Sequence, residues 1–448
     1  MADPSLHHPS GKASNIAIQQ FSNYNYLVFK KVFYNTGAQV IGKGITASIT
    51  LLVTLIIGRT LGPTGYGDFT KIFVFVGYFY TLADFGLNQI YIKLARGNET
   101  SHLKVLFGLR LLIGISLAIV ATTAAQVLPY NQAASTGFSP LVKTGIALAA
   151  ITIITQALFT SANAYFQKIL RYDLSVAAAT VSYLFVLATA VIVTLTTQSL
   201  LGYTLAYILG GLVLAVMSYL IIAKRTKNFF LPKFDKQAFL TFTKPAWPVG
   251  LALLFNLIYF RIDVLILSNF RSSTEIGLYG LAYQFFEAAL SIPIFFSNAI
   301  YPILASLYQT NLQEFKKQIR AWIKILTAAS ILLAIILALV AYLIPLIYDQ
   351  RFARSVPALQ ILSFGMPFFF ISALLWHLLI IYDKQKFLTI IYAAGAVFNI
   401  GANLIFIPAY GYIAASIITV ISEALIMSCL FLAIKKFEGP LASQRGNM

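Results

Sequence analysis

The feature that most constrains this chain is a succession of apolar stretches, each long enough to cross a membrane as a helix and separated by short polar connections. A bilayer's hydrocarbon core takes ~20 helical residues to span. With no water inside it, each crossing segment must satisfy its own backbone N–H and C=O groups, which makes these runs helices. A transmembrane barrel requires short segments that alternate apolar and polar residues, and the runs do not alternate. Composition agrees: charged residues make up 10% of the 448, against about 25% in soluble domains, and the mean hydropathy is +0.81.

The pattern predicts an all-α polytopic membrane protein of about twelve transmembrane helices. The spans fall at 37–58, 70–92, 105–127, 141–163, 174–197, 200–223, 245–268, 274–299, 321–348, 356–381, 387–408 and 411–434. Residues 224–244 form the longest basic connection and divide the chain into an N-half, 37–223, and a C-half, 245–434, with a tail at 435–448. Six spans per half return the chain to the same side, so an internal repeat would be parallel. Tyr66-Gly67 and Tyr279-Gly280 occupy matching places near helix starts, as do Gly202-Tyr203 and Gly411-Tyr412. Residues 1–36 contain no uninterrupted apolar core of the kind a cleavable leader carries. Phe21, Tyr24, Val28 and Val32, beside Lys30 and Lys31, read either as an interfacial helix or as an extension of the first span.

Basic residues set the expected threading. Alternate connections carry Lys12, Lys30, Lys31; Lys93, Arg96, Lys104, Arg110; Lys168, Arg171; the cluster from Lys224 to Lys244; Lys316, Lys317, Arg320, Lys324; Lys384, Lys386; and Lys435, Lys436, Arg445. The opposite side holds Arg59, Lys71, Lys143, Arg271, Arg351 and Arg354, leaving Lys43 and Arg261 inside spans. The positive-inside rule then places both termini in the cytoplasm, with the chain in the inner or plasma membrane. The net charge of +18 is first a topology signal and second an attraction to anionic membrane lipids. It does not indicate nucleic acid, because no soluble domain remains to carry a basic face.

Several short motifs fail on context. Gly37 to Lys43 resembles a phosphate loop, but Gly44 stands where Ser or Thr is required and no strand precedes it. Asp84-Phe85-Gly86 matches a kinase magnesium motif without a nucleotide lobe around it. The four histidines are scattered, and no metal or other cofactor is expected. The sequon at Asn98 falls on the cytoplasmic side, where it would not be glycosylated, and the single Cys429 rules out an intrachain disulfide.

The informative charges are those within spans, each costing ~2.5–3.5 kcal/mol at a helix centre. Lys43 lies close enough to the inner surface to snorkel out, and a place in a substrate path is an equal reading. Arg261 and Asp263, at i,i+2, point to different faces and should not pair with one another. A water-filled cavity is the favoured destination for both. Asp84 reads either as part of that path or as a helix-to-helix hydrogen-bond acceptor. Glu287 and Glu423 stand nearest the midplane, where a carboxylate tends to hold its proton; each is a candidate for proton coupling or a neutral packing residue.

Asn35-Thr36, the run Gly58-Arg-Thr-Leu-Gly-Pro-Thr-Gly-Tyr-Gly-Asp-Phe69 and Leu82-Ala-Asp-Phe-Gly-Leu87 closely resemble the opening signature of the polysaccharide transporter family, the O-antigen and capsule-repeat flippases. Tyr259-Phe-Arg-Ile-Asp263, Ile276-Gly-Leu-Tyr-Gly280 and the Pro293 to Pro302 segment extend the resemblance over nearly the whole chain. It implies the two-lobed fold of the multidrug/oligosaccharidyl-lipid exporters, with two six-helix lobes around a central cavity. The implied activity is alternating-access transfer of a polyprenyl-diphosphate-linked oligosaccharide from the inner to the outer leaflet, alongside polysaccharide assembly proteins. Arg261 and Asp263 occupy recurring family positions. On this reading Lys43, Arg261, Asp263 and Asp84 are the substrate-binding candidates. A drug or cation antiporter of the same fold is the alternative. A membrane polymerase or ligase ranks third, because the connections on the outer side, the longest at 128–140, are too short for a catalytic domain.

Overall fold

The computed structural model describes residues 11–94 and 99–444, with side chains described chiefly within 41–437. In chain order the helices are α1 (Gly11–Asp84), α2 (Leu87–Leu94), α3 (Glu99–Val127), α4 (Pro140–Ala149), α5 (Ile151–Lys168), α6 (Tyr172–Leu195) and α7 (Leu200–Thr226) in the N-half. The C-half adds α8 (Lys236–Phe270), α9 (Ser273–Thr310), α10 (Leu312–Ala341), α11 (Ile344–Ile347), α12 (Ser355–Phe364), α13 (Met366–Ile381) and α14 (Gln385–Gln444), with a 3-10 turn at Gln350–Phe352. Among the described residues eight helical runs are long and apolar enough to cross a membrane, or nine when α12 and α13, bent by 42°, count as one span. The N-terminal face Phe21, Tyr24, Val28 and Val32 lies outside the residues whose side chains are described, as do parts of the sequon at Asn98 and of the C-terminal tail.

Two helices are too long for one crossing. At 1.5 Å per residue the 74 residues of α1 would extend ~110 Å, several times the thickness of the hydrocarbon core. Each is in fact broken at a left-handed glycine: α1 at Gly62 (φ 65°), followed by Pro63, and α14 at Gly411 (φ 61°). The backbone there turns in a conformation that L side chains rarely adopt, and Pro63 is well placed to begin the next helix. The carbonyls freed by each break are met by arginine. Arg271 donates to Ile407 O at 3.0 Å and Pro408 O at 2.8 Å, while Arg351 donates to Arg59 O at 3.3 Å. Glu275 accepts from the Tyr412 amide at 3.3 Å, satisfying an orphan donor of the following segment. Gly202 and Gly411 each stand at the start of the last long segment of their half, but they differ in conformation: Gly202 sits in the regular first turn of α7, whereas Gly411, like Gly62, has a positive φ.

Three places show local structure finer than the expected spans and connections. The connection expected at 224–244 is helical at both ends, because α7 continues to Thr226 and α8 begins at Lys236. Asp235 caps α8 by accepting from the amides of Gln237 and Ala238, both at 3.1 Å, and Tyr219 donates to Phe230 O at 2.7 Å, strapping the connection to the N-half. The fourth span is interrupted at Ala150 between α4 and α5. An otherwise helical chain also contains a small antiparallel hairpin, Tyr130–Asn131 with Thr136–Gly137, in the connection of 128–140.

Packing divides into a large apolar core running through both halves and a second cluster near the α7–α8 connection. The second includes Leu87, Phe107, Phe166, Ile222, Phe230 and Phe242. The halves close on each other at the face bearing Gly62, Gly411 and the hairpin. There α1 and α9 cross almost backbone to backbone: a Cβ on Gly67 would lie 1.7 Å from Ser273 O, and one on Gly277 1.9 Å from Pro63 O. Thr64 and Thr274 share a 2.8 Å hydroxyl contact, and Arg59 donates to Ile347 O at 2.7 Å. Small residues let helices approach this closely where lipid supplies no hydrophobic drive for association.

A cavity between the halves

Beneath this sealed seam lies a cavity of about 600 Å³, walled by both halves. One stripe of α1 faces it with Lys43, Thr46, Thr50 and Thr54, a spacing of three to four residues that keeps them on one side of the helix. Beyond the Gly62 break the same helix presents Tyr66, Phe69, Thr70, Phe73, Gly77 and Tyr80. Tyr183 of α6 and Tyr207 of α7 complete the N-half wall. The C-half contributes Arg261 from α8 and Gly280, Gln284, Glu287 and Ser291 from α9.

The charged centre of the cavity is an ion pair. Arg261 donates to Glu287, and its guanidinium sits 4.8 Å from the centre of the Tyr283 ring, a favourable cation–π position. The Glu287 side chain is 54% exposed in this pair and Arg261 25%. Arg261 therefore has both of the things a charged residue in a span requires, a polar cavity and an opposite charge. Lys43 is exposed on the same cavity wall with no ion pair among the described residues. Tyr66 donates to Gln284 Oε1 at 2.8 Å, joining the two walls near the seam.

The other candidates lie elsewhere. Asp263, as expected, does not pair with Arg261; it is 3% exposed, away from the cavity wall, accepting from the Tyr279 hydroxyl and from the Val264 amide at 2.7 Å. The favoured cavity position thus holds for Arg261 but not for Asp263. Glu423, 2% exposed, accepts from Tyr259 at 2.7 Å in the interior of the C-half. Asp84 ends α1 and pairs with Arg110 of α3 at 2.6 Å. The expectation that Lys43 and Arg261 are the only basic residues inside spans is also corrected. Lys71 and Arg110, assigned by sequence to connections, are 1% and 0% exposed within α1 and α3. Both lie on apolar helices close to span ends, where a window of hydropathy cannot distinguish a surface charge from a paired interior one. The polar stripe Thr46, Thr50, Thr54, three hydroxyls spaced four residues apart, was visible in the sequence and is a signal of the cavity wall that sequence reasoning did not use. Among the described residues no group of three His, Cys, Asp or Glu side chains could hold a metal.

Two helical halves meeting along a close seam over a polar cavity make a multi-pass membrane protein with the fold of the multidrug/oligosaccharidyl-lipid exporters. The chain belongs to the polysaccharide biosynthesis protein family, whose model matches residues 28–308; the MatE family model matches residues 248–405. The solved structure of the lipid II flippase MurJ in an inward closed conformation has the same fold, with a TM-score of 0.71 at 14% identity over 90% of this chain and 87% of that one. An inward-facing multidrug resistance MATE transporter gives 0.70 at 12% identity, covering 89% of this chain and 96% of that one. A superfamily transporter from Pyrococcus furiosus, described as having a binding pocket of reverse polarity that suggests a different function, gives 0.59 at 13% identity, with 91% and 96% covered. An uncharacterised membrane protein of Methanocaldococcus jannaschii is 23% identical over 407 residues, 84% of this chain and 78% of its own length.

Proposed function

We propose that the chain is a flippase that moves a polyprenyl-diphosphate-linked oligosaccharide from the inner to the outer leaflet by alternating opening of the cavity. The observation that carries this reading is that Lys43 and Arg261, from opposite halves, line one cavity. A diphosphate needs cationic partners to enter a low-dielectric region. The Arg261–Glu287 pair supports the same reading: Glu287 holds the guanidinium while the cavity is empty, and an entering diphosphate replaces it. Parting of the halves at the α1–α9 seam, with closure on the opposite side, then exposes the cargo to the other side. Asp263 and Asp84 act in this scheme by fixing α8 and the α1–α3 corner, not by touching cargo. Moving negative charge outward across an inside-negative membrane is favourable by ~2.3 kcal/mol per charge per 100 mV, so the membrane potential contributes drive. A proton relay through Glu287 or Glu423 is a second, weaker contribution in this scheme. The chain sits in the inner or plasma membrane with both termini cytoplasmic, where the cargo is made, and hands its product to polysaccharide assembly proteins.

The test is transfer of lipid-linked oligosaccharide in proteoliposomes. Collapsing the potential while keeping the pH gradient should slow it severalfold, and an unchanged rate rejects the potential as a drive. Arg261→Ala and Lys43→Ala should insert normally and fail to transfer; full activity in both removes the cationic cavity from the mechanism. The second reading, a drug or cation antiporter, draws on Glu287 and the aromatic wall together with the MatE match. Binding of organic cations at Glu287, without binding of undecaprenyl diphosphate, decides for it.

A further inference from the structure

The two cavity walls differ in chemistry. The C-half wall carries the ionic and amide groups Arg261, Glu287 and Gln284, whereas the N-half wall, apart from Lys43, presents the aromatic side chains Phe73, Tyr80, Tyr183 and Tyr207. Phe73 and Tyr207 pack with ring centres 4.7 Å apart and tilted by 45°, and Phe69 backs Tyr207 at 5.3 Å. Tyr80 is fixed by a 2.6 Å contact between its hydroxyl and Thr152 Oγ1. Tyr183 and Tyr207 differ from Tyr80 in that their hydroxyls have no hydrogen-bond partner among the described residues, although both side chains are only half buried and face the cavity. A tyrosine hydroxyl open to a cavity takes its partner from whatever fills that cavity.

We infer that this wall is a carbohydrate subsite, which rests on the flippase reading and extends it to the sugar end of the cargo. A pyranose ring presents an apolar C–H face and a rim of hydroxyls. The wall presents ring faces for the first and, in the hydroxyls of Tyr183 and Tyr207, donors and acceptors for the second. Two other occupants fit less well. A lipid tail has no use for the hydroxyls. An organic cation would be drawn by ring faces beside a free carboxylate, but Glu287 is committed to Arg261 and Lys43 adds further positive charge. The diphosphate thus belongs to Lys43 and Arg261, and the sugars to the aromatic wall of the N-half.

The experiment measures binding to the full chain in lipid nanodiscs by native mass spectrometry. It uses two probes: bare undecaprenyl diphosphate, and the undecaprenyl-diphosphate oligosaccharide pool extracted from the parent cells. The parent chain should prefer the sugar-bearing lipid by about tenfold or more, a difference of ~1.4 kcal/mol. Tyr207→Ala should remove most of that preference while leaving bare-lipid affinity unchanged, which also reports that the variant is folded. Tyr183→Ala serves if Tyr207→Ala does not fold, and Tyr207→Phe should retain part of the preference through its ring. Equal affinity of the parent for both lipids, or an equal loss of both in the folded variants, overturns the subsite and leaves the flippase reading standing. Failure of the parent to bind either lipid removes the flippase reading itself, and the subsite with it.

Discussion

The Lys71 ammonium on α1 donates to Ser273 Oγ at the start of α9, at 2.9 Å, and to the Gly137 carbonyl of the hairpin at 2.6 Å. One buried cation thereby joins three segments at the sealed face, with Asp68 at 3.9 Å supplying the opposite charge. An isolated bridge from Thr136 to Ser272 runs alongside. In the alternating-access scheme proposed above, opening the cavity toward this face requires the Lys71–Ser273 contact to break, which would make Lys71 a latch between the halves.

Replacing Lys71 by Met should weaken the seal. With Cys429 changed to Ser, a Thr64→Cys/Thr274→Cys pair reports closure by its rate of disulfide formation, since the native hydroxyls lie 2.8 Å apart. Loss of buried hydrogen bonds worth ~1–3 kcal/mol predicts a fall in that rate of about fivefold or more. A rate equal to that of the parent would show that the latch is immaterial.

Gly67→Val should disrupt the same seam for a steric reason. Its Cβ would meet the Ser273 backbone carbonyl, which cannot rotate away as a flexible side chain would. The Thr64→Cys/Thr274→Cys crosslink should be nearly lost, with transfer falling in parallel. Efficient crosslinking in this variant contradicts the close α1–α9 approach.

Arg110 is fully buried, and only its Nη2 atom finds partners, Asp84 Oδ1 and the Asp84 carbonyl. Removing one member of such a pair strands a charge in a low dielectric and costs about 3–5 kcal/mol, whereas removing both is often near neutral. Asp84→Leu alone should therefore lower the thermal midpoint sharply, and Asp84→Leu with Arg110→Leu should restore most of it. If the double variant is as unstable as the single one, the pair is not the reason these charges sit there.

Glu287→Gln should strengthen binding of undecaprenyl diphosphate several-fold, because it releases Arg261 from its competitor. Arg261→Gln should weaken binding by tenfold or more, on the scale of a charge-assisted contact. Titration of nanodisc-embedded protein measures both, and weaker binding by Glu287→Gln would contradict displacement of Glu287 by the cargo.

Asp235 gives a pH-dependent stability. The Ala238 amide, followed by Lys233, holds its carboxyl below the ordinary 3.8. A depressed value means that the cap contributes fully above the unfolded-state value and is lost as pH falls through the folded one. Asp235→Ala should thus lower the melting temperature at neutral pH, with the difference from the parent disappearing in acid. A difference that persists at pH well below 3.8 argues against the ionised cap.

The sequence by itself determined the membrane class, the helical character and the family resemblance, since each rests on local content: apolar run length, the absence of alternation, and short motifs such as Gly58 to Phe69. It also singled out Arg261 and Lys43, because a charge inside an apolar run is conspicuous wherever the helix packs. Only the tertiary structure decided what those charges meet. Glu287 is 26 residues from Arg261 along the chain, and Ser273 is 202 from Lys71, so no spacing rule connects them. The same limit explains why Lys71 and Arg110 were assigned to connections and Asp263 to the cavity. In a bilayer, a charge's fate is set by which helix face its neighbours cover, and that is fixed when the two halves close on each other, not when each helix forms.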